Sequence, residues 1–471
     1  MRRSRTNSGA GELFVELRRD SSVPLHQQLE SGIRDRIRQG LLRADAVMPA
    51  TRALATDLGL SRGVVVEAYQ QLVAEGYLVS RTGGYTQVAQ AAAGIQMEQK
   101  SAAATERPPR IDFKYSKPDV SQFPRAAWLR SIRKVLNETP NSSLAYLDGR
   151  GTAELRESLA DYLNRVRGTS ARPENMLICS GFAQGSRLLL QVLVAAGYRR
   201  LAVEDPSDNE LRAVATKAGL ETVGVPVRET GLDVEALERS GADVVVVTAA
   251  HQFPTGAVAS AQTRAGLVAW ATEHDGLVIE DDYDAEYRYD REPIGAIQGL
   301  APESVIYAGT ASKTLAPGLR LGWLILPSRL VEPMSAAKVI DDRGSPVFDQ
   351  LTFADFVARG EFDRHLRRMR PRYRQLRDTL VGRLAQQVPD LVPIGVSAGL
   401  HVMTWLPPDL TEAAVTNAAL ERGLGVYGLA PYWVEKAGPE GLVFGYGSLT
   451  QPAVAEGIDL LADAIGSLRR Q

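Results

Sequence analysis

Short apolar runs recur through the middle of the chain, and they limit its possible folds more than any other feature. They are Leu201 to Val203, Val244 to Thr248, Leu277 to Ile279, Val305 to Tyr307 and Leu321 to Leu326. Each is too short for a helix and lacks polar alternation, which is how strands buried on both faces of a parallel sheet read. Helical stretches such as Ala153 to Val166 alternate with such runs, so the pattern from Ile111 onward predicts an α/β fold. From about Val331 the pattern changes to long helices. Strands then follow at Gly399 to Leu406 and Gly441 to Tyr446, which predicts a smaller α+β subdomain.

The front of the chain has a different pattern. Leu25, Leu29, Ile33 and Ile37 recur at helical spacing and predict a helix over Pro24 to Gln39. Two more helices are expected at Thr51 to Leu58 and Ser61 to Glu75, with Gly59 as the C-cap between them. Val64, Ala68, Tyr69 and Leu72 are the expected core face of the last. Short strands at Tyr77 to Ser80 and Tyr85 to Val88 flank Gly83-Gly84. Three helices and a small hairpin describe a winged helix-turn-helix over residues 1–89. Gln90 to Arg110 is rich in Ala, Gln, Glu and Ser and ends in Pro108-Pro109, so it reads as a flexible linker. The third segment is 111–471.

Length and composition agree with this division. A chain of 471 residues is too long for one ordinary core. Its 44% apolar and 23% charged residues are those of a soluble globular protein. A net charge of -2 confines any nucleic-acid binding to a local patch. Cys179 is the one cysteine, which excludes an intrachain disulfide and fits a reducing cytoplasm. Met1-Arg2-Arg3-Ser4-Arg5 is basic, but no apolar segment follows it, and no run approaches membrane-spanning length.

Lys313 carries the most chemistry. It sits in Gly309-Thr310-Ala311-Ser312-Lys313-Thr314, a small and otherwise uncharged setting in which an amine can be buried, lose proton affinity and attack carbonyls. Arg320, in the same segment, is placed to hold an anion. A lysine nucleophile beside an anion holder is what pyridoxal 5′-phosphate (PLP) requires. Ser180-Gly181-Phe182-Ala183-Gln184 follows a strand and opens a helix, where free N–H groups and the helix dipole suit a phosphate. At the front, Ser61 and Arg62 begin the third helix, Arg52 lies in the second, and Arg81 leads the wing. Arg62 can fork onto guanine or a phosphate oxygen, and Arg52 and Arg81 can add phosphate contacts. Taken in isolation, Arg62 and Arg52 would read as solvated surface groups; the surrounding pattern favours contact with DNA instead.

The front segment resembles the GntR winged-helix family. Asp45 to Ala55 stands for that family's G-x-x-L-P-S-x-R-x-L-A, Ser61 to Leu72 for its S-R-x-T-V-x-x-A-Y-x-x-L, and Gly83-Gly84-Tyr85-Thr86 for its wing. From Ile111 onward the chain resembles fold type I aminotransferases, and the combination resembles the MocR/GabR regulators, most of all the PdxR group. This resemblance implies that Lys313 holds PLP and that Asp281 pairs with its ring nitrogen. Tyr283 and Gln252 would face the ring oxygen. Thr310, Ser312 and Arg320, with Gly181 and Phe182, would cup the phosphate. Tyr146 would reach the phosphate of the neighbouring subunit, which implies a homodimer. Ser61, Arg62, Arg52, Arg81 and Gly83 would meet double-stranded DNA.

The sequence departs from a working transaminase. In Leu442-Val443-Phe444, Val443 occupies the place of the arginine that binds a substrate carboxylate. Asp208 stands where many relatives have a tyrosine stacked on the ring, which leaves Phe182 as a candidate for stacking. Glu210 stands where GabR-like regulators have an arginine. Glu280, Asp282 and Asp284 read as an acidic loop in water, and His251 as a structural residue. The arginines of His365 to Arg377 are expected to face solvent or a partner subunit rather than DNA. With these departures, the resemblance to the PdxR group implies a PLP-responsive transcription regulator of vitamin B6 supply, without sustained turnover and without a metal. The alternatives are an aminotransferase carrying a DNA module, a GabR-like amino-acid sensor, and a PLP fold kept only as a dimerisation scaffold.

Overall fold

The computed structural model describes residues 17–81, 85–90, 108–115, 117–289, 294–435 and 438–470. The chain divides into two compact units, residues 1–107 and 108–471. The expected linker ends are drawn into these units. The Gln90 amide donates to Asp45 at 2.9 Å, and Arg110 pairs with Glu456 at 2.8 Å. Residues 91–107 lie outside the described part.

In the first unit, helices Leu25–Arg38, Thr51–Leu58 and Arg62–Ala74 precede a hairpin of Leu78–Arg81 and Tyr85–Val88. Leu29, Ile33 and Ile37 are fully buried against Leu54, Ala68, Tyr69, Leu72 and Val88. Each such side chain contributes roughly 1.5–3 kcal/mol on burial. Gly59 adopts a left-handed C-cap with φ 61°, as its position predicted. One expected core residue is displaced. Val65 is buried and Val64 is only half-buried. Val65, Ala68, Tyr69 and Leu72 lie at the i, i+3, i+4, i+7 spacing of one helical face, and Val64 falls beside it.

The second unit is built on an eight-stranded sheet. From edge to edge its strands are Met176–Cys179, Gly322–Ile325, Val305–Thr310, Leu277–Asp281, Val244–Val247, Arg200–Asp205, Glu221–Arg228 and Gly231–Leu232. The strands from Val305–Thr310 through Glu221–Arg228 are parallel. Gly322–Ile325 is antiparallel to both neighbours, so the run at Leu321 to Leu326 is not the parallel strand its composition suggested. It returns from Val305–Thr310 through residues 311–321 without an α-helical crossover, and such a connection gives an antiparallel neighbour. The sheet is therefore mixed. A smaller antiparallel sheet joins Pro393–Ile394, His401–Trp405, Gly441–Gly445 and Tyr427–Gly428. The helix Glu361–Gln387 packs along the helix Gln451–Leu468. Asp205, Val247, Asp281 and Thr310 end parallel strands on one edge of the large sheet, which is where ligands bind in open α/β sheets.

Candidate functional site

The loop after Val305–Thr310 carries Lys313. Hydrogen bonds on both sides fix its course. The Ala311 amide donates to the Leu321 carbonyl at 3.0 Å, and His365 Nε2 donates to the Thr314 carbonyl at 2.8 Å. Lys313 itself is half-buried. Burial lowers the proton affinity of its amine below the ordinary lysine value, and the carboxylates of Asp281, Asp284, Asp208 and Glu210 oppose that shift.

The residues expected to hold an anion converge beside this loop. The Thr310 hydroxyl lies 2.9 Å from the Ser312 hydroxyl and accepts from the Ser312 amide at 3.1 Å. Arg320 takes a left-handed backbone with φ 52° and donates to the Ser180 carbonyl at 2.6 Å. Its guanidinium crosses Gly181, where a Cβ would meet Arg320 Nη2 at 2.9 Å. Gly181 has φ 77° and caps the helix Phe182–Ala195 without a side chain to occupy the first-turn N–H groups. A positive φ and this close approach both require glycine there. Phe182 is half-buried and packs against the core that holds Leu177 and Leu189.

Asp281 ends its strand opposite Ala308. Burial raises its carboxyl well above the usual carboxylate range; Asp208, Asp282 and Asp284 add to the rise, and Lys313 opposes it. Tyr283 donates to the His251 carbonyl at 3.0 Å. Gln252 is buried with both amide atoms engaged. Its Nε2 donates to the Pro206 carbonyl at 2.8 Å, and its Oε1 accepts from the Thr255 hydroxyl at 2.6 Å. Tyr146 is 86% exposed.

The acidic loop does not face water. Glu280, Asp282 and Asp284 are all buried. Asp282 is forked by Arg167 at 2.8 and 3.1 Å and accepts from the Tyr307 hydroxyl at 2.7 Å. Glu280 accepts the Ile297 and Gln298 amides at 2.9 and 3.1 Å. Asp284 bonds His251 Nδ1 at 3.0 Å. Each carboxylate has a dedicated partner, and a buried charge requires one. Sequence reasoning missed these pairs because Arg167 lies far away in the chain. It also missed Glu204, which accepts from the Thr248 hydroxyl at 2.6 Å; burial pushes its carboxyl up to about 7.

Val443 is fully buried in an apolar cluster with Phe253, Met403, Leu429 and Tyr432, and Tyr283 packs on its edge. Asp208 accepts the Glu210 amide at 2.8 Å and so caps the helix Asn209–Ala218.

In the first unit, Ser61 caps the third helix, accepting the Val64 amide at 3.4 Å. Arg52, Ser61, Arg62 and Arg81 are all exposed. The wing is tied back by the Met48 amide, which donates to the Thr86 carbonyl at 2.8 Å. Gly83 lies outside the described residues. No helix among the described residues is long and apolar enough to cross a membrane.

Two family models match the chain. Residues 25–88 match the gntR family of bacterial regulatory proteins, and residues 113–437 match the class I and II aminotransferases. The pyridoxine biosynthesis transcriptional regulator PdxR of Corynebacterium glutamicum is 31% identical over 96% of this chain and 99% of its own length. The probable rhizopine catabolism regulatory protein MocR of Rhizobium meliloti is 30% identical over 97% of this chain and 96% of its own. Among solved structures, the α-aminoadipate aminotransferase LysN of Thermus thermophilus, complexed with N-(5′-phosphopyridoxyl)-L-leucine, superposes with a TM-score of 0.68 at 25% identity. That match covers 76% of this chain and 93% of LysN. The chain belongs to the MocR-type regulators, in which a GntR winged-helix domain is joined to a class I/II aminotransferase domain.

Proposed function

We propose that this regulator binds PLP at Lys313, answers to PLP itself rather than turning over amino acids, and controls vitamin B6 supply through DNA binding as a homodimer. The observation that carries the reading is a contrast. Gly181, Thr310, Ser312 and Arg320 lie along and beside the loop that carries Lys313, with Arg320 held across Gly181, while Val443 sits in an apolar cluster. PLP fits these residues. Arg320 and the helix start at Gly181 would hold its phosphate, Lys313 its aldehyde carbon, and Asp281 its ring nitrogen. When bound, PLP supplies an electron sink. Asp208 and Glu210 add negative charge where a substrate carboxylate would enter, which disfavours amino acids.

The test is an operator titration of the apoprotein, the PLP-loaded protein, and the loaded protein with a panel of amino acids. PLP alone is expected to change DNA affinity by roughly 5–150-fold, an ordinary allosteric coupling. Lys313→Ala removes the response. A second reading, an amino-acid sensor or a transaminase, is favoured by the persistence of Lys313 and Asp281. It takes precedence if one amino acid changes DNA binding strongly where PLP does not, or if steady turnover is seen.

A further inference from the structure

A basic cavity lies outside the Lys313 cradle. It measures about 530 Å³ and is walled by Phe123, Arg125, Arg130, Arg364, His365 and Arg368 among others, with Glu361 as its one carboxylate. It sits between the start of the helix Arg125–Glu138 and the first turns of Glu361–Gln387.

The charge in this cavity is not balanced. Glu361 is shared by two arginines of the cavity wall, Arg130 at 3.3 Å and Arg364 at 2.6 Å, while the nearby Arg359, 3.5 Å away, has its closer partner in Asp355 at 2.7 Å. Arg368 spends its guanidinium on the Gln122 carbonyl at 2.8 Å and on His365 Nδ1 at 3.3 Å, neither of which is anionic. Arg125 is exposed, and its side chain has no polar partner among the described residues. A concave surface with such excess concentrates anions. Guanidinium groups presented from two helices match a tetrahedral phosphate better than a planar carboxylate, because each can take a different oxygen.

We propose that this cavity binds a phosphate group, with Arg125, Arg364 and Arg368 as its donors. The phosphate comes either from a small phosphorylated solute or from a DNA backbone; the recognition chemistry is the same. The site is distinct from the Lys313 cradle, yet its wall includes His365, which holds the Thr314 carbonyl beside Lys313. A phosphate seated here therefore bears on the loop that carries the lysine.

The test uses the full chain loaded with PLP and then freed of excess cofactor by desalting, so that the Arg320 cradle is filled and no free PLP competes for the cavity. Inorganic pyrophosphate is titrated at low ionic strength by calorimetry, and a non-operator DNA duplex is titrated across salt concentrations. Arg125→Ala is expected to weaken pyrophosphate binding about tenfold or more. Arg133→Ala, an equally exposed arginine on the same helix outside the cavity, leaves it unchanged. If Arg125→Ala instead lowers the DNA salt slope by about one and pyrophosphate does not bind, the phosphate is that of DNA. The proposal is overturned if Arg125→Ala alters neither titration. It is also overturned if Arg133→Ala weakens binding as much, because general attraction would then explain both. Failure of PLP binding would show separately, as a pyrophosphate site that Arg320→Ala removes.

Discussion

His365 Nε2 donates to the Thr314 carbonyl at 2.8 Å, and this bond ties the long helix Glu361–Gln387 to the loop that carries Lys313. The Tyr287 hydroxyl reaches the same carbonyl at 3.3 Å, and Arg368 meets His365 Nδ1 from the other side. The histidine is thus used as a neutral donor on one nitrogen and an acceptor on the other.

Stability should therefore depend on pH through His365. Burial lowers its pKa to about 4, with the Arg368 charge adding to the shift and the Thr314 carbonyl opposing it. A base whose folded pKa is depressed contributes stability above its unfolded value near 6.5, and that stability is lost as pH falls through about 4. Urea unfolding at pH 7 and pH 4.5 is expected to show a loss of about 2–3 kcal/mol from this group. His365→Gln should be less stable at pH 7 but show less of the acid loss. Equal acid loss in the variant would remove His365 from the account.

Gly181→Ala tests the cradle. The new methyl would meet Arg320 Nη2 at 2.9 Å on a backbone with φ 77°. A strained left-handed residue costs about 1 kcal/mol or more, and the displaced guanidinium would leave the anion position. PLP affinity, read from the absorbance of the bound cofactor, is expected to fall at least tenfold while the winged unit keeps its thermal transition. Unchanged affinity would place the phosphate elsewhere.

Much of this architecture is legible in sequence because it is local. The lysine loop, the left-handed Gly59 cap and the apolar strands each follow from residues close together in the chain. What is not legible is long-range pairing. Nothing near Asp282 announces Arg167, so an acidic loop reads as solvated, and nothing near Thr314 announces His365. Strand direction fails for the same reason. The run at Leu321 is apolar like its neighbours, and only the length and path of the preceding loop decide that it runs antiparallel. Val443 is a different case, since its absent charge is read directly, and the structure adds the apolar cluster that fills the space.

The winged unit makes its own prediction. Arg62 begins the third helix and Arg52 lies in the second, both exposed. If Arg62 meets a base edge, Arg62→Ala should cost about 1–3 kcal/mol on the operator and relax specificity at one position. Arg52→Ala should weaken binding to all sequences alike and lower the salt slope by about one. Quantitative shift assays across salt concentration separate the two. If neither variant binds more weakly, another face of the unit meets DNA.

Tyr146 tests whether two chains share one cradle. The residue is 86% exposed, although large aromatic groups are ordinarily covered. If its hydroxyl completes the phosphate cup of a second subunit, Tyr146→Phe removes one hydrogen bond to a charged group, worth about 1.5–3 kcal/mol, or roughly 10–150-fold in PLP affinity. The substitution keeps the ring, so folding and dimerisation should be unchanged by scattering and thermal unfolding. PLP affinity in the unmodified protein should then rise with chain concentration across the dimerisation range. A monomer that binds PLP at full strength, or a Tyr146→Phe dimer that binds as tightly as its parent, would show that each chain closes its own site.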